Sequence, residues 1–394
     1  MAINKLGWIL PLVVLFSAVS YIDAQRKIRY SSIGKSTEKF AGDVYKQISA
    51  QNGNILISPI SVQTVLGLVQ IGSRSVTLQQ MSKVLYLPLN PKRVAQIFHN
   101  IEKSNRNITD VVLNSASKIF IRDDVVLLEK YKNFTRYFDT EVTNTNMTNS
   151  AQAANEINGF VDKKTHGKIK EIIKEDDISD DTMMVLVNAL YFDGKWEHPF
   201  EEEATHQKTF YANGEEEVKT DFMMQITKFR YLENEKLDAK FIELPYGSGD
   251  FVMTLVLPNE RNGLPQLESK IHEVLKNQAM AEHETTVIMP KFKMEGDVNF
   301  NEVLQKLGMV AVFKGANLSG MSKGQLAVSK VVQKTYIDVN EAGTEAAAAT
   351  GLSIEDRFGN DNRRVFYADH PFLFIIRQNS TGIVLFLGRY TGPQ

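Results

Sequence analysis

Residues 184–192 carry a single polar amide, Asn188, and no charge. A strand with one face in water alternates apolar and polar side chains, so an unbroken run like this predicts a central strand covered on both faces. Residues 251–257 and 287–289 read as further strands closed by Pro258 and Pro290, and 372–376 with 383–388 as a hairpin around 378–382. The first half reads differently. Phe40, Val44, Tyr45 and Ile48 fall at helical spacing, and Ser58-Pro59 opens a helix with Ser58 as its cap. Residues 93–103, 127–137 and 151–166 follow as helices, with short strands at 55–57 and 116–121. Helices early and strands late, without regular alternation, predict an α+β fold. No Pro/Gly/Ser-rich linker divides the 394 residues, so one large domain is expected.

The chain has 0 cysteines, which excludes disulfides, thiol catalysis and cysteine-based zinc sites, and leaves stability to core burial. A formal net charge of -2 gives no overall field for nucleic acid or an anionic membrane. Lys5, an apolar stretch over 6–19 and small residues ending at Ala24 predict a secretory signal over 1–24. The apolar stretch is shorter than the ~20 residues of a spanning helix. With no retention signal at 390–394, export is expected, into haemolymph if the source is an arthropod. Five sequons, at Asn107, Asn133, Asn146, Asn317 and Asn379, are glycosylation candidates.

Catalytic constellations fail on context. Gly320-Met321-Ser322-Lys323-Gly324 matches a nucleophile elbow letter for letter, but residues 313–319 before it are loop-like where an apolar strand is required. His272-Glu273 and His283-Glu284 begin like a zinc-hydrolase helix, yet Lys276 and Val287 stand where the second histidine belongs. No phosphate-binding or dinucleotide fingerprint occurs, so a binding or inhibitory protein is expected rather than an enzyme.

The most unusual stretch is 341–351, Glu-Ala-Gly-Thr-Glu followed by four alanines, Thr350 and Gly351. Its composition favours helix, but no apolar face anchors one. A long strand over 327–339 precedes it and a polar loop over 352–364 follows. Here the chain resembles the serpins: 341–351 matches their hinge, at Gly343, Thr344, Glu345, Ala346, Ala347, Ala348, Ala349 and Thr350. The resemblance spans the chain after the signal, 25–394, with 57–61, 187–196, 243–246, 318–322 and 368–372 matching family motifs in order. It implies about nine helices, three β-sheets and an exposed reactive-centre loop over about 341–366. It also implies a monomer that needs no cofactor and traps a serine protease as a covalent acyl complex. Cleavage lets the loop enter a large sheet as a new strand, distorting the acylated protease. Alternate positions would then be buried: Thr344, Ala346, Ala348 and Thr350, all small and uncharged.

Family spacing from Gly343 puts the reactive bond between Arg357 and Phe358, with Arg363 and Arg364 as rivals. Arginine there implies a trypsin-like protease. Asp356-Arg357-Phe358-Gly359 also resembles the activation site of arthropod prophenoloxidases, which points to clip-domain proteases of melanisation and innate immunity. By motif, Ser58, Ser61 and Asn188 match the family's shutter, where Gln333 replaces a frequent histidine. Trp196, Lys291 and Glu341 match its breach, with a Lys291–Glu341 ion pair expected. Lys92, Arg93, Lys103 and Arg106 occupy the region where some serpins bind a heparin-like glycosaminoglycan. A non-inhibitory carrier or chaperone is the alternative function.

Overall fold

A computed structural model describes residues 32–105, 111–138, 140–344 and 363–393. The signal segment 1–24, Arg106, Asn107, Glu345 to Thr350, Arg357 and Phe358 lie outside the described residues. The helices are α1 (32–48), α2 (Pro59–Gly72), α3 (Ser75–Leu85), α4 (Pro91–Asn105), α5 (Glu129–Thr135), α6 (Ser150–Lys164), α7 (Leu264–Ser269), α8 (Ile271–Val274) and α9 (Phe300–Lys306). The strands are β1 (Ile55–Ile57), β2 (Val111–Arg122), β3 (Glu141–Thr145), β4 (Met184–Lys195), β5 (His206–Ala212), β6 (Glu216–Asn234), β7 (Ala239–Tyr246) and β8 (Phe251–Pro258). They continue with β9 (Ala281–Pro290), β10 (Phe292–Asn299), β11 (Lys330–Asn340), β12 (Gly343–Thr344), β13 (Arg364–Tyr367), β14 (Phe372–Gln378) and β15 (Ile383–Tyr390).

One sheet runs β10-β11-β12-β4-β2-β3, with β4 at its centre. As the apolar run requires, β4 is buried on both faces. Val185, Val187 and Ala189 pack with Ile157 and Val161 of α6, while Met184, Leu186, Leu190 and Phe192 belong to the main core beneath. Strand periodicity thus sorts one sequence into two separate packings. Helix α2 lies in that main core and buries nearly every residue, which explains its lack of a polar face.

The second sheet follows the path β1-β15-β14-β8-β7-β6-β9-β13, with β5 on β6. Two of the three expected sheets therefore form one hydrogen-bonded path. The cause is β6, whose 19 residues pair with β5, β7 and β9 along its length. The 372–388 hairpin forms as expected, with a register shift at Ile376/Arg377.

Two sequence readings need correction. Ser58 stands at the N-cap of α2, but its side chain makes no capping bond, and its Oγ is buried without a partner. The backbone of Ser58 is instead engaged by Gln333 across the sheet. The reactive-centre segment is also less exposed at its ends than a loop over 341–366 implies. Gly343–Thr344 is already a strand inside the sheet, and Arg364–Tyr367 pairs with β9. Ser322 is buried and its Oγ accepts the Gly324 N–H, in a β-bridge with Leu127.

Candidate functional site: a sheet split between β11 and β4

Strands β11 and β4 pair directly and in parallel from Lys330↔Val185 up to Tyr336↔Tyr191. Above that pair they part, and β12 fills the gap antiparallel to both: Thr344 lies opposite Val339 and Gly194, Gly343 opposite Asn340 and Lys195. The chain reverses through Glu341 and Ala342. Asn340 Oδ1 accepts the Ala342 N–H at 3.1 Å, the Trp196 N–H donates to Ala342 O at 3.0 Å, and the Phe200 N–H to Glu341 O at 2.8 Å. Gly343 has φ +145, and a Cβ there would overlap the Gly194 carbonyl, so only glycine lets the chain pass so close to β4.

Thr344 is fully buried, with its hydroxyl 3.1 Å from that of Tyr246. Burial pushes the Tyr246 phenol up, more than the Thr344 bond lowers it, so it stays neutral and can donate to threonine. Its ring stacks on Trp196 with centroids 4.3 Å apart and meets the edge of Phe192 at 5.0 Å. Trp196 Nε1 in turn donates to Asn340 O at 2.9 Å. The first inward position counted from the sequence is therefore inward in the fold.

Glu341 closes the entrance. Its carboxylate takes the Lys291 ammonium at 2.9 Å and the Thr205 hydroxyl at 2.7 Å, so the expected ion pair forms. Burial pushes this carboxyl up, but the bonds from Lys291 and Thr205 outweigh it and hold it below the usual glutamate range. Because the folded-state value is lowered, the stabilisation is present above the unfolded value of about 4.3 and fades as pH falls through the folded one. Glu341→Gln should therefore lower the thermal midpoint at pH 7, and the gap between variant and parent should close on acidification below about pH 4.3. A gap independent of pH in thermal melts would remove the ion pair from the account.

Lower down, Gln333 on β11 joins the shutter positions. Its Nε2 lies 2.6 Å from Asn188 Oδ1, 2.9 Å from Ser58 O and 3.0 Å from Ser61 Oγ, and its Oε1 accepts the Ser58 N–H at 2.9 Å. Ser61 Oγ lies 2.6 Å from Asn188 Oδ1, and Asn188 Nδ2 donates to Ser117 Oγ at 2.8 Å. The amide thus ties β11 to β4 and to the start of α2. On the opposite face the rings of Tyr191 and Tyr336 meet edge-on at 5.7 Å, with the Lys168 ammonium within 5.8 Å of both. Sequence reasoning missed Tyr246, Ser117, Tyr191, Tyr336 and Lys168 as working parts. Only the period-2 offset from Asn188 and Gln333 could have flagged the two tyrosines.

The rival arginines are held by the second sheet. Arg364 begins β13, opposite Thr285, and Arg363 pairs with Glu284 at 3.7 Å. Asn133, Asn146 and Asn379 are exposed and Asn317 is half-buried; Asn146 Oδ1 accepts both the N–H and hydroxyl of Thr148. Lys92, Arg93 and Lys103 are exposed on α4, with Lys92 and Lys103 about 16 Å apart along the axis.

The sheet is thus paired below, divided above, and seated with the first residues of the segment that follows. The family model for serpins (serine protease inhibitors) matches residues 35–393. The chain belongs to the serpin family. It is similar to human serpin B4, with 34% identity over 92% of this chain and 100% of that one. Among solved structures it resembles Serpin48, described as a highly specific serpin of the insect Tenebrio molitor, at TM-score 0.85 and 32% identity, covering 92% of this chain and 98% of that one. It also resembles human thyroxine-binding globulin in complex with its hormone, at TM-score 0.84 and 25% identity, covering 93% and 100%.

Proposed function

We propose that the chain is a secreted monomeric inhibitor that traps a trypsin-like serine protease by cleavage between Arg357 and Phe358, followed by insertion of the segment after Gly343 between β11 and β4. The observation that carries this reading is Thr344, a small buried residue already seated in the split. The residues after it continue small and neutral at alternate positions, Ala346, Ala348 and Thr350, so continued insertion buries no charge. From Tyr336↔Tyr191 downward, insertion exchanges the single β11–β4 ladder for two, one on each side of the new strand. The tie of Arg364 into β13 supports Arg357 as the bait. The signal-like residues 1–24 and the exposed sequons support export as a glycoprotein. The sequence around Arg357 supports a clip-domain protease of the melanisation cascade as target. The α4 cations support a heparin-like accelerator on that helix.

Mixing the protein with trypsin should give a covalent complex that survives denaturing electrophoresis, with mass spectrometry placing the new N-terminus at Phe358. Arg357→Ala should abolish the complex. The likeness to thyroxine-binding globulin favours the carrier reading, and cleavage without any complex would select it.

A further inference from the structure

Asparagine followed by glycine occurs four times, at Asn52-Gly53, Asn158-Gly159, Asn213-Gly214 and Asn262-Gly263. The pair is chemically labile because glycine has no Cβ to shield its backbone nitrogen from the asparagine side-chain carbonyl. Attack requires that nitrogen to give up its proton, and a hydrogen bond from the N–H to a carbonyl opposes it. Three of the four are held shut. Asn158 lies within α6, its Nδ2 donating to Ile173 O at 2.8 Å and its Oδ1 accepting the Ile172 N–H at 2.9 Å. The Gly214 N–H donates to Tyr211 O at 3.0 Å, and the Gly263 N–H to Glu260 O at 2.9 Å.

Asn52-Gly53 differs. Asn52 is exposed, and the Gly53 N–H has no backbone acceptor among the described residues. Gly53 has φ +77, and a Cβ there would touch nothing, so space for a five-membered ring is open. The same turn is gripped from inside. Arg389 on β15 is buried, and its guanidinium donates from Nε to Gly53 O at 2.8 Å, from Nη1 to Ser49 O at 2.9 Å and from Nη2 to Gln51 O. Its Nη1 also donates to Glu268 Oε1 at 2.8 Å, which accepts the Tyr45 hydroxyl at 2.6 Å. A planar guanidinium has fixed donor spacing, so Gln51 O and Gly53 O must keep theirs. The backbone of Asn52 lies between those two carbonyls.

We infer that Asn52 is a deamidation site whose isoaspartyl product breaks the hold of Arg389 on this turn. The Gly53 nitrogen bonds to Asn52 Cγ, its proton leaves with the side-chain amide as ammonia, and a succinimide closes. Water then cleaves one of the two imide C–N bonds. Cleavage at Cγ gives aspartate. Cleavage at the main-chain carbonyl gives isoaspartate, whose backbone runs through Cβ and Cγ and is one atom longer. That atom changes the spacing of the carbonyls that the guanidinium spans, just before β1 enters its pairing with β15. The inference does not depend on protease trapping.

Prolonged incubation of the full chain in mildly alkaline buffer, then denaturation, digestion and mass spectrometry, tests it. Amide-to-acid conversion should run about fivefold faster or more at Asn52 than at Asn158, Asn213 or Asn262, the factor that one backbone hydrogen bond supplies. The isoaspartyl fraction, separated by ion exchange, should melt several degrees below the fresh chain. Freshly prepared Asn52→Asp, with the same charge on an ordinary backbone, should melt with the fresh chain. Asn52→Gln should keep its midpoint through the incubation. Conversion at Asn52 no faster than at Asn262 overturns the inference. So does an isoaspartyl fraction that melts with Asn52→Asp, or a midpoint that falls equally in Asn52→Gln.

Discussion

Thr344→Arg should turn a trap into a substrate: with trypsin, covalent complex gives way to cleaved chain. Thr344 is fully enclosed between β11 and β4, against the Tyr246 hydroxyl and the Trp196–Tyr246 stack. The described groups that enclose it, Tyr246, Trp196, Val339 and Gly194, carry no charge to receive a guanidinium, so arginine must either leave the sheet or bury an unpaired charge, which costs about 3–5 kcal/mol. Insertion then slows, and the acylated protease hydrolyses free first. Cleavage after Arg357 should not slow, since that bond is thirteen residues away along the chain. Thr344→Val is the control. It keeps the shape and loses only the bond to Tyr246, so most trapping should survive. Full stoichiometric trapping by Thr344→Arg would show that this position need not enter the sheet.

The second large effect is expected at Gln333. Replacing it with leucine, close to it in volume, leaves the Ser58 N–H without a partner in a buried site, while Ser61 and Val62 still reach the Ser58 carbonyl and Ser61 the Asn188 amide oxygen. One unsatisfied buried donor costs about 1–3 kcal/mol, so the first denaturant transition should lose an amount in that range. Because the lost bonds join β11 to β4, the sheet should also part more readily, and gel filtration after mild heating should show oligomers. Gln333→His should fall between the two, since imidazole offers one donor and one acceptor in another geometry. A loss under about 1 kcal/mol would mean that side-chain packing, not the amide network, holds the strands together.

The legible parts of the fold were those where one residue type answers to one environment. The run at 184–192 announced a strand buried on both sides because no half-exposed strand tolerates it. The helix after Pro59 and the hairpin at 372–388 were readable for similar local reasons. Strand β6 gave no such signal. Its burial changes along 19 residues as it passes from an exposed edge at Glu216 to a covered centre at Met223, and its polar residues resemble those of a loop. The cap assigned to Ser58 fails at its side chain, whose Oγ is buried without a partner, while the Ser58 backbone is held by Gln333 from 275 positions away.

Sequence alone determined the hinge. Strand periodicity picks out Thr344, Ala346, Ala348 and Thr350 as alternate positions, all small and neutral. These are local demands, written at the residues that meet them. Tertiary structure alone decided how far the hinge has entered the sheet, that Tyr246 receives Thr344, and that Gln333 joins Ser58, Ser61 and Asn188. Those contacts link residues distant along the chain. Their partners are fixed by how whole strands settle against one another, an outcome that depends on the packing of the entire core rather than on any one stretch of it.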